Sequence, residues 1–264
     1  MPDIASLLTA YDEQLRPAET SNLSPGVVAE LDGPVTRVVG QHRGFLTGPR
    51  DLGVSLGELD ALIARQRDFF AARGEAVEWK TRGHDLPAEL PDRLVAAGFV
   101  PEERETVLIG ATEQLAGTTP TPPDGVTIRP ADGAEDLRQI ASVATEVWGE
   151  DRSWLADELA GLIRRGRTVV LVAEAGGRVV SSARLEFEPG TDFAGLWGGN
   201  TLEQWRGRGI YRALVAARAG FAAARGVRYL QVDASEDSRP ILTRLGFVAI
   251  TTTTPYVWAP AQPA

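Results

Sequence analysis

Leu202–Gly220 reads LEQWRGRGIYRALVAARAG. Gly207 and Gly209 bare the main chain immediately before an Ala/Leu/Val run with helical spacing. Ile210, Leu214, Ala217 and Phe221 share one face of a helix expected over Ile210–Arg225. The first turn of a helix leaves N–H groups without intrahelical partners, and the macrodipole adds partial positive charge there. Glycine admits a ligand close to the main chain, and Arg206, Arg208 and Arg212 add fixed charge suited to a pyrophosphate. A glycine-softened helix start with solvated arginines fits the same letters. Gly207-x-Gly209 is also half of a dinucleotide fingerprint, with Asp233 as its ribose acid. Arg212 holds the place of the third glycine, however, and the preceding strand is expected to end early, at about Gly199. No Gly-Lys-Ser/Thr follows, which excludes a P-loop.

Working outward, VTIRPADGAEDLRQIASVA reads as a short strand, Asp132 as N-cap, and an amphipathic helix. SWLADELAGLIRRG is a second helix closed by Gly166. TVVLVAEAGGRVVSSARLEFEP is a hairpin turning at Gly176-Gly177, and a further strand covers about Asp192 to Gly198. VRYLQVDAS is a buried strand, DSRPILTRLGF a short helix ended by Gly246, and FVAITTTTPYVW a return to β structure. The Pro/Thr/Gly-rich AGTTPTPPDG reads as a linker. The first half echoes this order: VVAELDGPVTRVV resembles LVAEAGGRVV, FFAARGEAVEW resembles AAARGVRYLQV, and RLVAAGFV resembles TRLGFV. Three echoes in one order point to an internal duplication. The first copy lacks EQWRGRG and carries the acidic GPRDLGVSLGELD instead.

The 264 residues, 43% hydrophobic and 24% charged, are an ordinary globular mixture. No apolar run is long enough to span a bilayer. The acid-bearing start MPDIASLLTAYDEQLR lacks the order of a signal peptide, so a cytoplasmic protein is expected. With no cysteine, disulfides, thiolate nucleophiles and zinc–cysteine sites are excluded. Lys80 is the only lysine and His42 and His84 the only histidines, which argues against Schiff-base chemistry and a three-histidine metal site; no metal is expected. A net charge of −9 argues against a nucleic-acid partner.

Two other patterns have plainer readings. Gly53–Gly57, GVSLG, matches the nucleophile elbow of hydrolases, but Ser55-x-x-Glu58 is better read as a capping box. His42 and His84 lie among loop residues without metal-ligand spacing. Trp148 and Trp154 flank GEDRS and either wall a pocket or pack two helices together.

Gln204-Trp-Arg-Gly207-Arg-Gly209, the hairpin before it, IRPAD…DL at Ile128 and LGF at Leu245 together resemble the GNAT superfamily of acyl-CoA-dependent N-acyltransferases. The resemblance covers Val126 to about Trp258, with a fainter echo in the first half. It implies an α/β (α+β) chain of two GNAT-like domains, each a mixed, mostly antiparallel sheet flanked by helices. Residues 1–117 would be a degenerate copy without the glycine loop, 118–125 the linker, and 126–264 the acetyl-CoA-binding domain. The main chain of Trp197, Gly198 and Gly199 would pair with the pantetheine arm. The amides from Trp205 through Ile210 and on to Tyr211, with Arg206, Arg208 and Arg212, would hold the pyrophosphate of acetyl-CoA, and Ser235 and Ser238 would touch it. The partner implied is a small-molecule or peptide amine, without nucleic acid or membrane, and the protein a monomer or homodimer.

The chain departs from the family at both usual proton-handling positions: Leu242 replaces the tyrosine acid and Phe193 the glutamate base. Glu186, Asp192 and Asp233 remain as candidate bases, and Tyr211 or Tyr256 as the acid. These departures keep open a second class, a non-catalytic acyl-CoA-binding sensor or assembly module.

Overall fold

The computed structural model describes residues 3–20, 23, 25–117 and 121–260. Of the expected linker 118–125, Thr118, Thr119 and Pro120 lie outside the described residues. The chain begins with helix α1 (Ile4–Ala10), a π-helical turn (Tyr11–Leu15) and α2 (Arg16–Ala18). Strands β1 (Val28–Asp32), β2 (Val35–Val39) and β3 (Gly44–Thr47) lead to α3 (Leu56–Arg73), β4 (Val77–Arg82), α4 (Leu90–Ala96), β5 (Val100–Pro101), β6 (Glu105–Ala111) and α5 (Thr112–Ala116). Then come β7 (Val126–Pro130), α6 (Gly133–Trp148), α7 (Leu155–Arg164), β8 (Thr168–Ala175), β9 (Arg178–Phe187) and β10 (Phe193–Thr201). The chain closes with α8 (Ile210–Ala223), β11 (Tyr229–Ala234), α9 (Arg239–Arg244) and β12 (Val248–Trp258).

Within the described residues, one compact unit comprises 109–232 (less the undescribed 118–120) and 240–248. Here β7, β8, β9 and β10 pair antiparallel in succession, and β11 joins β10 in parallel through Phe193↔Tyr229 to Gly195↔Gln231. Leu171, Ala173, Val179 and Ala183 of the hairpin are buried with Leu137, Ile140, Leu159, Ile210 and Leu214 of the helices. That burial is what the alternating strand and helical spacings dictate. Asp132 stands at the start of α6 as expected, but its side chain makes no cap bond. Its amide donates instead to the Asp136 carboxylate, 2.6 Å away, which Arg129 also grips at 2.5 Å.

The other unit comprises 3–108, 233–239 and 249–260, again within the described residues. Here β1, β2 and β3 pair antiparallel and β4 joins β3 in parallel through Gly44↔Val77 to Leu46↔Trp79. Hairpin, third strand, helix and parallel fourth strand therefore recur in the same order in both units. Each unit is a mixed, mostly antiparallel sheet with flanking helices.

The units do not divide at 117 and 126. Thr253↔Arg82 to Trp258↔Val77 pairs β12 antiparallel with β4, and Tyr256↔Pro101 pairs it with β5. The end of the chain thus completes the sheet of the first copy. Nothing local in FVAITTTTPYVW says which sheet edge it will join, because any unpaired edge offers the same donors and acceptors.

The first-copy unit buries charge. Arg82 is buried and donates to Glu19, to Thr47 Oγ1 at 3.2 Å and to the Tyr11 hydroxyl at 3.3 Å. Burial alone would lower Lys80, but the Asp233 and Glu19 carboxylates outweigh it and hold the ammonium above the usual lysine range. Glu105 is pushed up to about 7, by burial first and then by the like charge of Asp233, with Lys80 opposing. A raised carboxyl keeps its proton in the folded chain while the unfolded chain ionises, so stability falls as pH rises from 4.5 towards about 7. At about 1.4 kcal/mol per pKa unit, discounted for solvent screening, the loss is on the order of 2 kcal/mol. Glu105→Gln removes it. Thermal unfolding should show the variant gaining on the parent between pH 4.5 and pH 8; a difference constant with pH contradicts this assignment.

Candidate functional site

The N-cap of α8 is Gly209, in the left-handed region at φ 89°, with no side chain bonded to the first turn and no acid within it. Gly207 is also left-handed, at φ +72°, and a Cβ there would meet nothing within 4 Å. Backbone conformation, not space, demands glycine at 207. Arg206, Arg208 and Arg212 are exposed around the loop. Arg208 stacks over Trp205 at 4.8 Å, and Arg206 Nε donates to Thr201 O at 3.1 Å. Within the expected cluster from Trp205 to Arg212, the three arginines face solvent while Ile210 is buried in the core.

The corresponding helix of the first copy begins differently. Ser55 and Glu58 form a reciprocal capping box on α3, with the Glu58 carboxylate accepting from the Ser55 amide at 2.8 Å. A carboxylate already occupies that helix start. GVSLG is accordingly a helix cap. His84 likewise sits in a polar network, its Nδ1 2.7 Å from Thr251 Oγ1 and its Nε2 3.1 Å from Asp12.

Upstream of the α8 loop, β10 runs on to Thr201, beyond the last β11 register pair at Gly195↔Gln231. On its other side the register with β9 shifts between Trp197 and Asn200. Gly198 and Gly199 form this bulge, with Gly198 at φ +60°. A bulge leaves a residue outside the ladder and re-aims its neighbours. The buried Asn200 braces it: the amide nitrogen donates to Gly198 O at 3.3 Å, and the amide oxygen accepts from Trp148 Nε1 at 2.6 Å. The Tyr211 ring lies against the bulge, 3.4 Å from where a Gly199 Cβ would be.

A small recess of about 20 Å³, partly open to solvent, adjoins the bulge; its lining includes Leu155 and Leu159 of α7, Ser182 and Arg184 of β9, and Gly198. The Ser182 hydroxyl is buried and has no hydrogen-bond partner among the described residues. Trp148 and Trp154 are 58% and 53% exposed, so neither is a core residue joining two helices.

The candidate carboxylates are engaged. Arg184 Nε holds Glu186 at 2.5 Å, Arg228 approaches Asp192 at 3.4 Å, and Lys80 holds the buried Asp233 at 2.8 Å. Asp233, Ser235 and Ser238 belong to the other compact unit, where Ser235 and Ser238 hydroxyls lie 3.3 Å apart. Phe193 and Leu242 are buried and apolar. Burial raises the Tyr256 hydroxyl, in that other unit, above the usual phenol range.

Arg218 was not among the expected residues. It is 2% exposed on α8, donating from Nε to Leu214 O at 3.1 Å and from Nη1 to Arg184 O at 3.2 Å. Its Nη2 is buried without a partner among the described residues. Burial pushes this guanidinium down to about 10, while attraction to Tyr211 works against the shift. The signal was present in the sequence: Ile210, Leu214 and Arg218 fall at successive four-residue steps on one stripe.

The model of the acetyltransferase (GNAT) family matches residues 134–247. No curated protein matches the chain in sequence. Among solved structures, a GCN5-related N-acetyltransferase from Kribbella flavida superposes with a TM-score of 0.71 at 18% identity, over 97% of this chain and 96% of that one. One from Sphaerobacter thermophilus gives 0.66 at 16% identity, over 98% and 94%. A tandem GNAT protein from the clavulanic acid biosynthesis pathway gives 0.65 at 15% identity, over 99% and 95%. Identities this low carry the fold and nothing finer.

Trp148→Phe removes the indole donor and leaves the Asn200 oxygen without its partner, at a cost of about 1–3 kcal/mol. Hydrogen exchange at the amides of Gly198 to Asn200 should quicken at least tenfold; unchanged exchange contradicts the bracing role.

Proposed function

We propose, from the match of residues 134–247 to the model of the acetyltransferase (GNAT) family, that the protein transfers an acetyl group from acetyl-CoA to the primary amine of a small molecule or peptide. The observation that carries this reading is the open first turn of α8, beside a β10 that outruns its pairing with β11. The amides from Trp205 through Ile210, with Arg206 and Arg208, would hold the pyrophosphate. The main chain at Trp197, Gly198 and Gly199 would take the pantetheine arm as an added strand. Glu58 occupies the equivalent helix start in the first copy, so that copy would hold no donor in this way.

When bound, the donor supplies a thioester carbonyl whose carbon–sulfur bond breaks as the carbon–nitrogen bond forms, sulfur gaining a proton as nitrogen loses one. Positioning by the bulge supplies the orientation. Glu186, Asp192 and Asp233, the candidate bases, are each held by a cation, and of the two candidate acids Tyr211 is better supported than Tyr256. The Tyr211 ring lies on the bulge, and the uncompensated Arg218 on the same helix favours negative charge on its oxygen.

The second reading, a non-catalytic acyl-CoA-binding module, is favoured by one observation: Phe193 and Leu242 put buried apolar side chains at both usual proton-handling positions. Acetyl-CoA binding without thiol release on any amine would select it.

Gly209→Val puts a β-branched residue into a left-handed N-cap. Acetyl-CoA affinity should drop at least tenfold with a small loss of melting temperature, and unchanged affinity contradicts the loop's role. Tyr211→Phe should lower kcat by about 10²-fold, within the usual range for general acid catalysis, with little change in KM for acetyl-CoA. Arg218→Met should lower kcat while holding or raising the melting temperature, because it deletes an unpaired buried charge. A Tyr211→Phe protein with full kcat removes the tyrosine from the mechanism.

A further inference from the structure

We propose that the recess beside the bulge is a binding site for one water molecule. Held by Ser182, this water ties β9 to the Gly198–Gly199 bulge and so fixes the main chain that receives the acyl arm. The second step rests on the acetyltransferase reading; the first does not. Size sets the ligand. About 20 Å³ is open to the centre of a water-sized sphere, above the roughly 10–15 Å³ that one water needs and too little for an organic group. The Ser182 hydroxyl supplies the polar demand. The residue is 1% exposed, and its Oγ has no hydrogen-bond partner among the described residues. A buried hydroxyl left in that state costs free energy, and ordered water is a regular partner of such groups.

The register of the sheet explains why the demand arises here. β10 pairs with β9 through Trp197↔Arg184 before the shift and Asn200↔Ser182 after it. Ala183 alone therefore stands opposite Gly198 and Gly199, and an extra residue in one strand leaves main-chain groups outside the ladder. Ser182 and Arg184 flank the mismatch, and both line the recess with Gly198 and Asn200. Several neighbouring polar atoms are already committed. Asn200 Nδ2 donates to Gly198 O at 3.3 Å, and Asn200 Oδ1 accepts from Trp148 at 2.6 Å. Asn200 O accepts from Ser181 Oγ at 2.7 Å, and Arg184 Nε donates to Glu186. A carbonyl oxygen has two lone pairs, so Gly198 O can take a second donor. Arg184 Nη1, 3.1 Å from where a Gly198 Cβ would stand, can give one. A water there donates to Gly198 O, accepts from Arg184 and completes Ser182, which makes about three bonds, the usual number for buried water. Other walls, among them Ile140, Leu155, Leu159 and Val170, are apolar. Trp148 and Asn200 thus brace the bulge from α6, and the water braces it from β9.

The test uses the full-length protein with its Ser182→Ala and Ser182→Val variants. A high-resolution crystal structure of the parent should show an ordered water within hydrogen-bond distance of Ser182 Oγ. The Val variant, whose methyl groups occupy the recess, should lack it. Stability gives a readout whose sign decides. Removing a hydroxyl that holds a water lowers the melting temperature, whereas removing a truly unsatisfied one raises it, so Ser182→Ala should melt below the parent. Calorimetry then separates bracing from general damage. Ser182→Ala should weaken acetyl-CoA binding by about fivefold, the equivalent of one net hydrogen bond. ADP, which carries a pyrophosphate but no pantetheine arm, should bind variant and parent alike. A parent recess without water, or a Ser182→Ala protein that melts above the parent, overturns the site. Equal acetyl-CoA affinity in parent and variant, or a parallel loss of ADP affinity, overturns the bracing role. An ordered water in a parent that does not bind acetyl-CoA upholds the site and removes the acyl-donor reading.

Discussion

Every α-helix starts with amide donors that its own turns cannot satisfy, and this chain resolves that constraint in two opposite ways. On α3, Ser55 and Glu58 close the turn from within, placing a carboxylate over the donors. On α8, Gly209 provides no side chain and the first turn holds no acid. Arginines surround the opening, and the left-handed Gly207 and Gly209 keep it clear of β-carbons. One helix start carries its own capping box, while the other has no side-chain cap. On the proposed reading, the division of labour between the two copies follows from that difference of a few residues.

The copies share an order of elements and differ in what they bury near the third and fourth strands. The unit of the first copy encloses a network in which Arg82, Glu19, Thr47 and Tyr11 satisfy one another, and Lys80 answers Asp233. Such a network is costly to break and leaves no donor set free for a ligand. The family-matching unit leaves its polar groups incomplete instead. Ser182 has a buried hydroxyl without a partner and Arg218 a buried guanidinium without a counterion. Incomplete satisfaction lowers stability, and in this unit it extends to Thr112 Oγ1 and Arg152 Nε.

Local patterns carried much of the fold. The hairpin at Leu171, the helix after Gly209 and the Ser55 capping box were legible because each depends on residues a few positions apart. The last strand was legible as a strand but not as a partner of β4, since pairing is decided by which edge is open in the folded chain. The glycine loop was likewise local. Glu186, Asp192 and Asp233 looked available in sequence because their cationic partners are assigned by tertiary folding, from as far away as Lys80 in the case of Asp233. Arg218 was legible in principle, lying on the same helical stripe as Ile210 and Leu214, but an apolar reading of that stripe passed over it. The recess was not legible at all, because Ile140, Leu155, Val170 and Ser182 come from four elements.

The central claim is electrostatic: main-chain donors at the start of α8 seat the phosphates of the acyl donor. Titration calorimetry of acetyl-CoA against S-acetyl-pantetheine, the same thioester arm without phosphates, addresses it directly. The account predicts that removing the phosphates weakens binding at least a hundredfold and that added salt weakens acetyl-CoA binding alone. Comparable affinity for the two thioesters, with no response to salt, would contradict it.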